Sequence, residues 1–251
     1  MNKVLNTIIK ILVISISLSL LLTPILDINL NSRQIVIKTR KIKKGEPSAV
    51  EIDNKKYSDL IYVAGPGDLL QIKKGKIFVN NKPFVSKHFR NLYIVLPKTQ
   101  VSIEQPIEAL NLSSKQANLL KNKIIINEVV DSPFMFDHNI YPYNSLLSWN
   151  KDNLGPMVIP HKNMVVKLNK YSYIIYKPLI EKWEKDTITY TKKGFFNSYN
   201  KKISYYKFKN DYYFLINKYT AYPIDCRTWG PLPKENIIGK VYSLSKKDSS
   251  M

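Results

Sequence analysis

Asp225-Cys226-Arg227 sets a carboxylate, a thiol and a guanidinium side by side, the first place in this chain to look for chemistry. A thiol attacks as the thiolate and needs a neighbouring base or cation to become one. No histidine stands near Cys226 in sequence, so it reads as a small buried packing residue. It is also the single cysteine, which excludes an intrachain disulfide. The histidines, His88, His138 and His161, lie far apart with no cysteine or carboxylate at ligand spacing, so no metal site is expected. No P-loop or GxGxxG segment occurs either, and no cofactor is expected.

Lys and Arg outnumber Asp and Glu 39 to 19, a formal charge of +20. Such a balance suits an anionic surface. The lysines are spread along the chain, however, with Lys, Ile and Asn abundant throughout, as A+T-rich coding would give. A basic arm for nucleic acid would be clustered, so nucleic acid is not expected as a partner. A hydrophobic fraction of 44% with 17 Tyr argues for a folded domain.

The elements that must position these residues begin with an apolar run, Val4 to Leu26. As a helix it would reach about 34 Å, enough for a hydrocarbon core of roughly 30 Å. Residues 1–3 form a short basic start, and Pro24 and Asp27 end the run. No small-x-small pair marks a cleavage site, so residues 4–26 are expected to stay as one transmembrane anchor in a lipid bilayer. Short strand patterns follow: Gln34 to Thr39, Ala49 to Ile52, and Asp59 to Ala64 leading into Gly65-Pro66-Gly67-Asp68. Leu69 to Ile72 and Lys76 to Val79 flank Lys73-Lys74-Gly75 as a hairpin, closed by Asn80-Asn81-Lys82-Pro83. Ser113 or Ser114 could cap a helix to Lys121, and Asn169 another toward Trp183, with Pro178 expected to interrupt or kink it. Asp211 to Ile216 and Ile237 to Leu244 return to strand character, and residues 245–251 read as a flexible polar tail.

Three stretches, in order and spacing, resemble bacterial signal peptidase I (leader peptidase). They are Val63-Ala64-Gly65-Pro66-Gly67-Asp68 with QIKKGKIFVNNKPF, then Asp211-Tyr212-Tyr213-Phe214 through Asp225-Cys226-Arg227-Thr228-Trp229-Gly230-Pro231-Leu232-Pro233, then Glu235-Asn236-Ile237-Ile238-Gly239-Lys240. The family reads Asp-Ser-Arg-x-Trp-Gly-x-Val-Pro at the second stretch, so Cys226 stands at a serine position and Leu232 at the valine. Trp149 to Pro160 (WNKDNLGPMVIP) resembles a segment of a long-insert branch. The resemblance implies a mainly β, signal-peptidase-like fold with a β-rich insert carrying short helices, preceded by one N-terminal transmembrane helix. Residues 33–84 and 209–244 would form the β core and 85–208 an inserted cap subdomain. It also implies a single-pass protein of the bacterial inner membrane, β domain on the periplasmic face, cleaving signal peptides from exported preproteins with a serine nucleophile and a lysine base.

The base must be a lysine whose pKa is lowered by burial, so that it can accept the serine proton. The family places it first in Lys-Arg-x-x-x-x-Pro-Gly-Asp. Counting back from Asp68 puts Leu60 at that position and Ile61 at the arginine. Lys55 and Lys56 lie five and four residues earlier, too far along a strand to substitute without a bulge. The serine position falls near Ile25 in a stretch lacking the family's Ser-Met box, and Ser32 is the nearest hydroxyl. The dyad is therefore expected to be lost. Asp225 and Arg227 are expected to keep the family's supporting ion pair, with Cys226, Pro66, Gly67 and Asp68 as the other site-supporting residues.

Overall fold

The computed structural model describes residues 26–29, 34–39, 41–97, 108–120, 124–132 and 134–243. The expected anchor up to Ile25, the serine position, Ser32 and the 245–251 tail lie outside the described residues. Leu26, expected as the last anchor residue, instead opens a strand. Among the described residues no helix is long and apolar enough to cross a membrane.

Among the described residues every element up to Leu112 is a strand: β1 (Leu26–Asn29), β2 (Gln34–Lys38), β3 (Pro47–Ile52), β4 (Lys55–Ala64), β5 (Leu69–Lys73), β6 (Lys76–Val79), β7 (Lys82–Pro83), β8 (Asn91–Pro97) and β9 (Glu108–Leu112). Helix α1 (Ser114–Leu120) leads to β10 (Ile124–Glu128), β11 (Leu154–Val158) and β12 (Val165–Lys167). After α2 (Lys170–Leu179) come β13 (Ile188–Thr191), β14 (Gly194–Asn197), β15 (Lys202–Ile203), β16 (Tyr205–Lys207) and β17 (Tyr212–Asn217). The short helix α3 (Cys226–Trp229) precedes β18 (Leu232–Pro233) and β19 (Ile237–Ser243). The protein is mainly β with a few short helices.

The main sheet has seven strands in the order β1-β2-β19-β3-β4-β17-β18. Strands distant in sequence therefore meet: β19 fills the place between β2 and β3, and β17 covers the free edge of β4. Tight turns follow from residue type. Asp53-Asn54, Lys74-Gly75 and Asn80-Asn81 each hold positive φ at both central positions, the geometry that two-residue hairpins require. Lys55–Ser58 extends β4 beyond the expected strand, because the exposed Lys55 and Lys56 ahead of Tyr57 and Ser58 carry no alternating pattern.

Strand β11 lies in the 85–208 stretch expected as an insert, yet it pairs with β5 of the hairpin in a sheet ordered β11-β5-β6-β7. Gly155 makes that approach possible: a Cβ there would stand 2.6 Å from the Leu70 carbonyl oxygen. One apolar cluster joins Val63, Leu70 and Phe214 to Ile140, Trp149, Ile175 and Phe208, so the stretch shares its core with the main sheet. Helix α2 starts on a reciprocal Asn169–Ser172 capping box, as its sequence suggests. Pro178 does not end it. The helix runs through to Leu179 and continues as one π turn, Ile180–Glu184, closed by Lys185 in the left-handed region.

Candidate functional site

Asp225 ends the loop after β17 and caps α3, its carboxylate accepting from the Arg227 N–H at 2.8 Å. The same carboxylate accepts from Asn217 N–H at 2.8 Å and from Arg227 Nε at 3.0 Å and Nη2 at 2.7 Å. Arg227 spends its remaining donors on the carbonyls of Thr220 (2.7 Å), Lys151 (3.3 Å) and Tyr222 (3.3 Å). Asp225 is 0% exposed and Arg227 2%. Every polar atom of the pair is thus engaged in holding three loops together, and none is left to orient a substrate or a base.

The pair also joins motifs far apart in sequence. Lys151, whose carbonyl Arg227 grips, belongs to the Trp149–Pro160 stretch, and Tyr141 N–H donates to the Arg227 carbonyl at 2.8 Å. From that stretch Asp152 O accepts from Gly75 N–H at 2.9 Å and Asn153 Oδ1 from Lys74 N–H at 3.0 Å, pinning the β5–β6 turn. Burial alone would lower the Lys151 pKa, but Asp152 at 2.5 Å and Asp131 at 2.9 Å outweigh it and hold it above the ordinary value. This is the opposite of a general base: the amine is fixed as a cation.

Leu60 sits in the middle of the main sheet, opposite Ser48 of β3 on one side and Asn217 of β17 on the other. It is 1% exposed and packs in the central apolar cluster. Since Asn217 N–H reaches Asp225, Leu60 is one strand away from the buried ion pair. Ser48 is fully buried, and its hydroxyl turns to the Glu46 carbonyl at 3.4 Å. Among the described residues no lysine is buried. A bulge does occur in β4, between Tyr57 and Leu60, but Lys55 and Lys56 upstream of it are exposed. The structure places Leu60 and Cys226 in one apolar cluster with Asp225 and Arg227 flanking Cys226, while Asp68 makes its own hydrogen bonds and ion pair with Gly65, Asn80 and Lys44.

In that turn Asp68 accepts from Gly65 N–H at 2.6 Å and Asn80 Nδ2 at 2.9 Å, and pairs with Lys44 at 2.5 Å. Burial pushes its carboxyl up, but the Gly65 hydrogen bond and Lys44 and Asn80 outweigh that and leave it below the usual value. A depressed carboxylate stabilises the fold above its unfolded pKa of about 3.9, and the contribution disappears as pH falls through the lower folded value. Asp68→Asn is expected to cost about 1–2 kcal/mol at pH 7 and to flatten the loss of stability below pH ~4, as measured by urea unfolding across pH.

Cys226 is completely buried and its Sγ lies 3.7 Å from the Tyr213 carbonyl. Burial pushes the thiol far above its ordinary pKa, with Asp225 adding to the rise, so it is no nucleophile at neutral pH. Thiol-directed labelling at pH 8 should therefore be at least about 100-fold slower in the native protein than in denaturant. Labelling at equal rates would contradict this packing.

Sequence reasoning did not find a polar cleft on the face of the sheet opposite Leu60. The β4 bulge turns Ser58 and Asp59 into it, Gln34 enters from β2, and His88, Arg90, Lys218 and Tyr219 close it from two loops. Its residues come from six separated segments, and none forms a motif with its neighbours. Among the described residues no group of His, Cys, Asp and Glu is arranged to hold a metal ion. The chain matches no known family model and no curated protein.

Proposed function

We propose that this chain is a non-cleaving relative of signal peptidase I, anchored in the bacterial inner membrane with its β domain on the periplasmic face. In this reading it binds the signal peptides of exported preproteins without cutting them. The observation that carries the reading is Leu60: an aliphatic side chain, 1% exposed, occupies the position where the resemblance demands a neutral lysine. The saturated Asp225–Arg227 pair supports it, because a scaffold can keep its shape after its chemistry is lost.

Hydrolysis by a serine–lysine pair needs both partners, and removing the nucleophile and base of one well-studied protease costs on the order of 10⁶ in rate. Binding has no such requirement, since an extended peptide is held by main-chain hydrogen bonds and side-chain pockets. The test is photo-crosslinking of the full chain in lipid vesicles to a synthetic signal peptide with a probe near its cleavage site. A crosslink to intact peptide, competed by unlabelled peptide, is the expected result. Absence of a competable crosslink would overturn binding.

A further inference from the structure

The cleft opposite Leu60 has the makings of a binding site, and its argument does not depend on the reading above. It offers about 180 Å³, floored by the apolar Pro47, Ile61 and Val241. Within it the polar groups are largely paired with each other. Gln34 Nε2 donates to Asp59 Oδ1 at 3.0 Å, Ser58 Oγ donates to Gln34 Oε1 at 2.6 Å, and Lys218 Nζ stands 2.6 Å from Asp59 Oδ1. Asp59 is thereby neutralised by Lys218.

One group stays uncommitted, the outer edge of Arg90. Arg90 uses only Nη1, donating to the Lys87 and Phe89 carbonyls at 2.9 Å each, which fixes the guanidinium. Its Nε and Nη2 have no acceptor among the described residues. His88 Nε2 makes no hydrogen bond of ordinary length, but it faces Glu46 Oε2 at 3.6 Å, within ion-pair distance, so its ring reports on the cleft without being free. The Nε/Nη2 edge of an arginine is the side-on fork that matches the two oxygens of a carboxylate.

We infer that this cleft binds a small carboxylate, its two oxygens on Arg90 Nε and Nη2 and its short apolar tail on Pro47, Ile61 and Val241. The room, about 180 Å³, suits a small ligand with a chain of roughly two to four carbons. Propionate is a suitable probe.

The full chain in detergent, with ¹³C-labelled histidine, is titrated with sodium propionate, propionamide and inorganic phosphate while the His88 ring resonance is followed. Propionate should shift it saturably within about 10 mM, and propionamide should not. Arg90→Lys keeps the charge on a single nitrogen but loses the fork, so it should weaken binding by about tenfold in a protein that still unfolds cooperatively on heating. Arg90→Gln should weaken it at least as much. No saturable shift, equal binding of propionamide, a preference for phosphate, or undiminished affinity in Arg90→Lys would each overturn the assignment.

Discussion

Arg227→Ala is expected to destabilise the protein by about 3–5 kcal/mol, because it leaves a buried carboxylate without its cation. Asp225 is 0% exposed, so water cannot replace the guanidinium without opening the α3 loop. The substitution also strands the carbonyls of Thr220, Tyr222 and Lys151, which Arg227 holds at 2.7 to 3.3 Å. Adding Asp225→Asn to Arg227→Ala removes the orphaned charge while keeping a side chain able to cap α3. The double variant should therefore regain at least about 1 kcal/mol over Arg227→Ala alone, a coupling that urea unfolding of all four proteins would measure. A purely additive cycle would mean that the pair is not coupled as its geometry indicates.

Leu60→Lys is the second large effect, and its pH dependence is more informative than its size. A lysine at this position would enter an apolar cluster beside a carboxylate whose acceptor sites are already filled by Asn217 and Arg227. Burial without a partner lowers a lysine pKa by up to about 3–5 units, which costs roughly 4–5 kcal/mol at pH 7, about 3.4 units below the unfolded value. The sign is set by proton binding: below the unfolded value near 10.4 the unfolded chain holds more protons than the folded one. Stability of the variant should therefore rise with pH between about 7 and 10 relative to wild type. Leu60→Met, which preserves volume, should cost less than about 1.5 kcal/mol and show no such slope. A pH-independent difference between Leu60→Lys and wild type would place residue 60 in solvent, against the packing described.

How much of this could be read beforehand depended on whether the signal was local. The Lys74-Gly75 and Asn80-Asn81 turns announce themselves, because few residues tolerate positive φ. Asn169 predicts its helix start through its side chain, and the structure places the cap there. The first half of β4 was missed because its strand character comes from pairing with β3 and not from its own polar residues. The strands β8, β9 and β10 and the β13–β14 hairpin were likewise missed, in a region that reads as irregular. At the site, Asp225-Cys226-Arg227 and Leu60 could be singled out beforehand only through the resemblance, the first by its motif and the second by counting back from Asp68. Their partners could not be, because Arg227 reaches carbonyls of Lys151 and Thr220 through long-range folding. The carboxylate cleft was invisible for the same reason: Gln34, Asp59, His88 and Lys218 meet only after β2, β4 and β19 have assembled.

The most direct measurement is incubation of the purified full chain with a signal-peptide-bearing preprotein in lipid vesicles, with the products read by mass spectrometry. No product with a defined new N-terminus should form, even at high pH, where a lysine base would be neutral and most effective. Site-specific cleavage that disappears in Ser32→Ala would show that a working hydroxyl and amine exist on this scaffold, contradicting a pocket filled by Leu60.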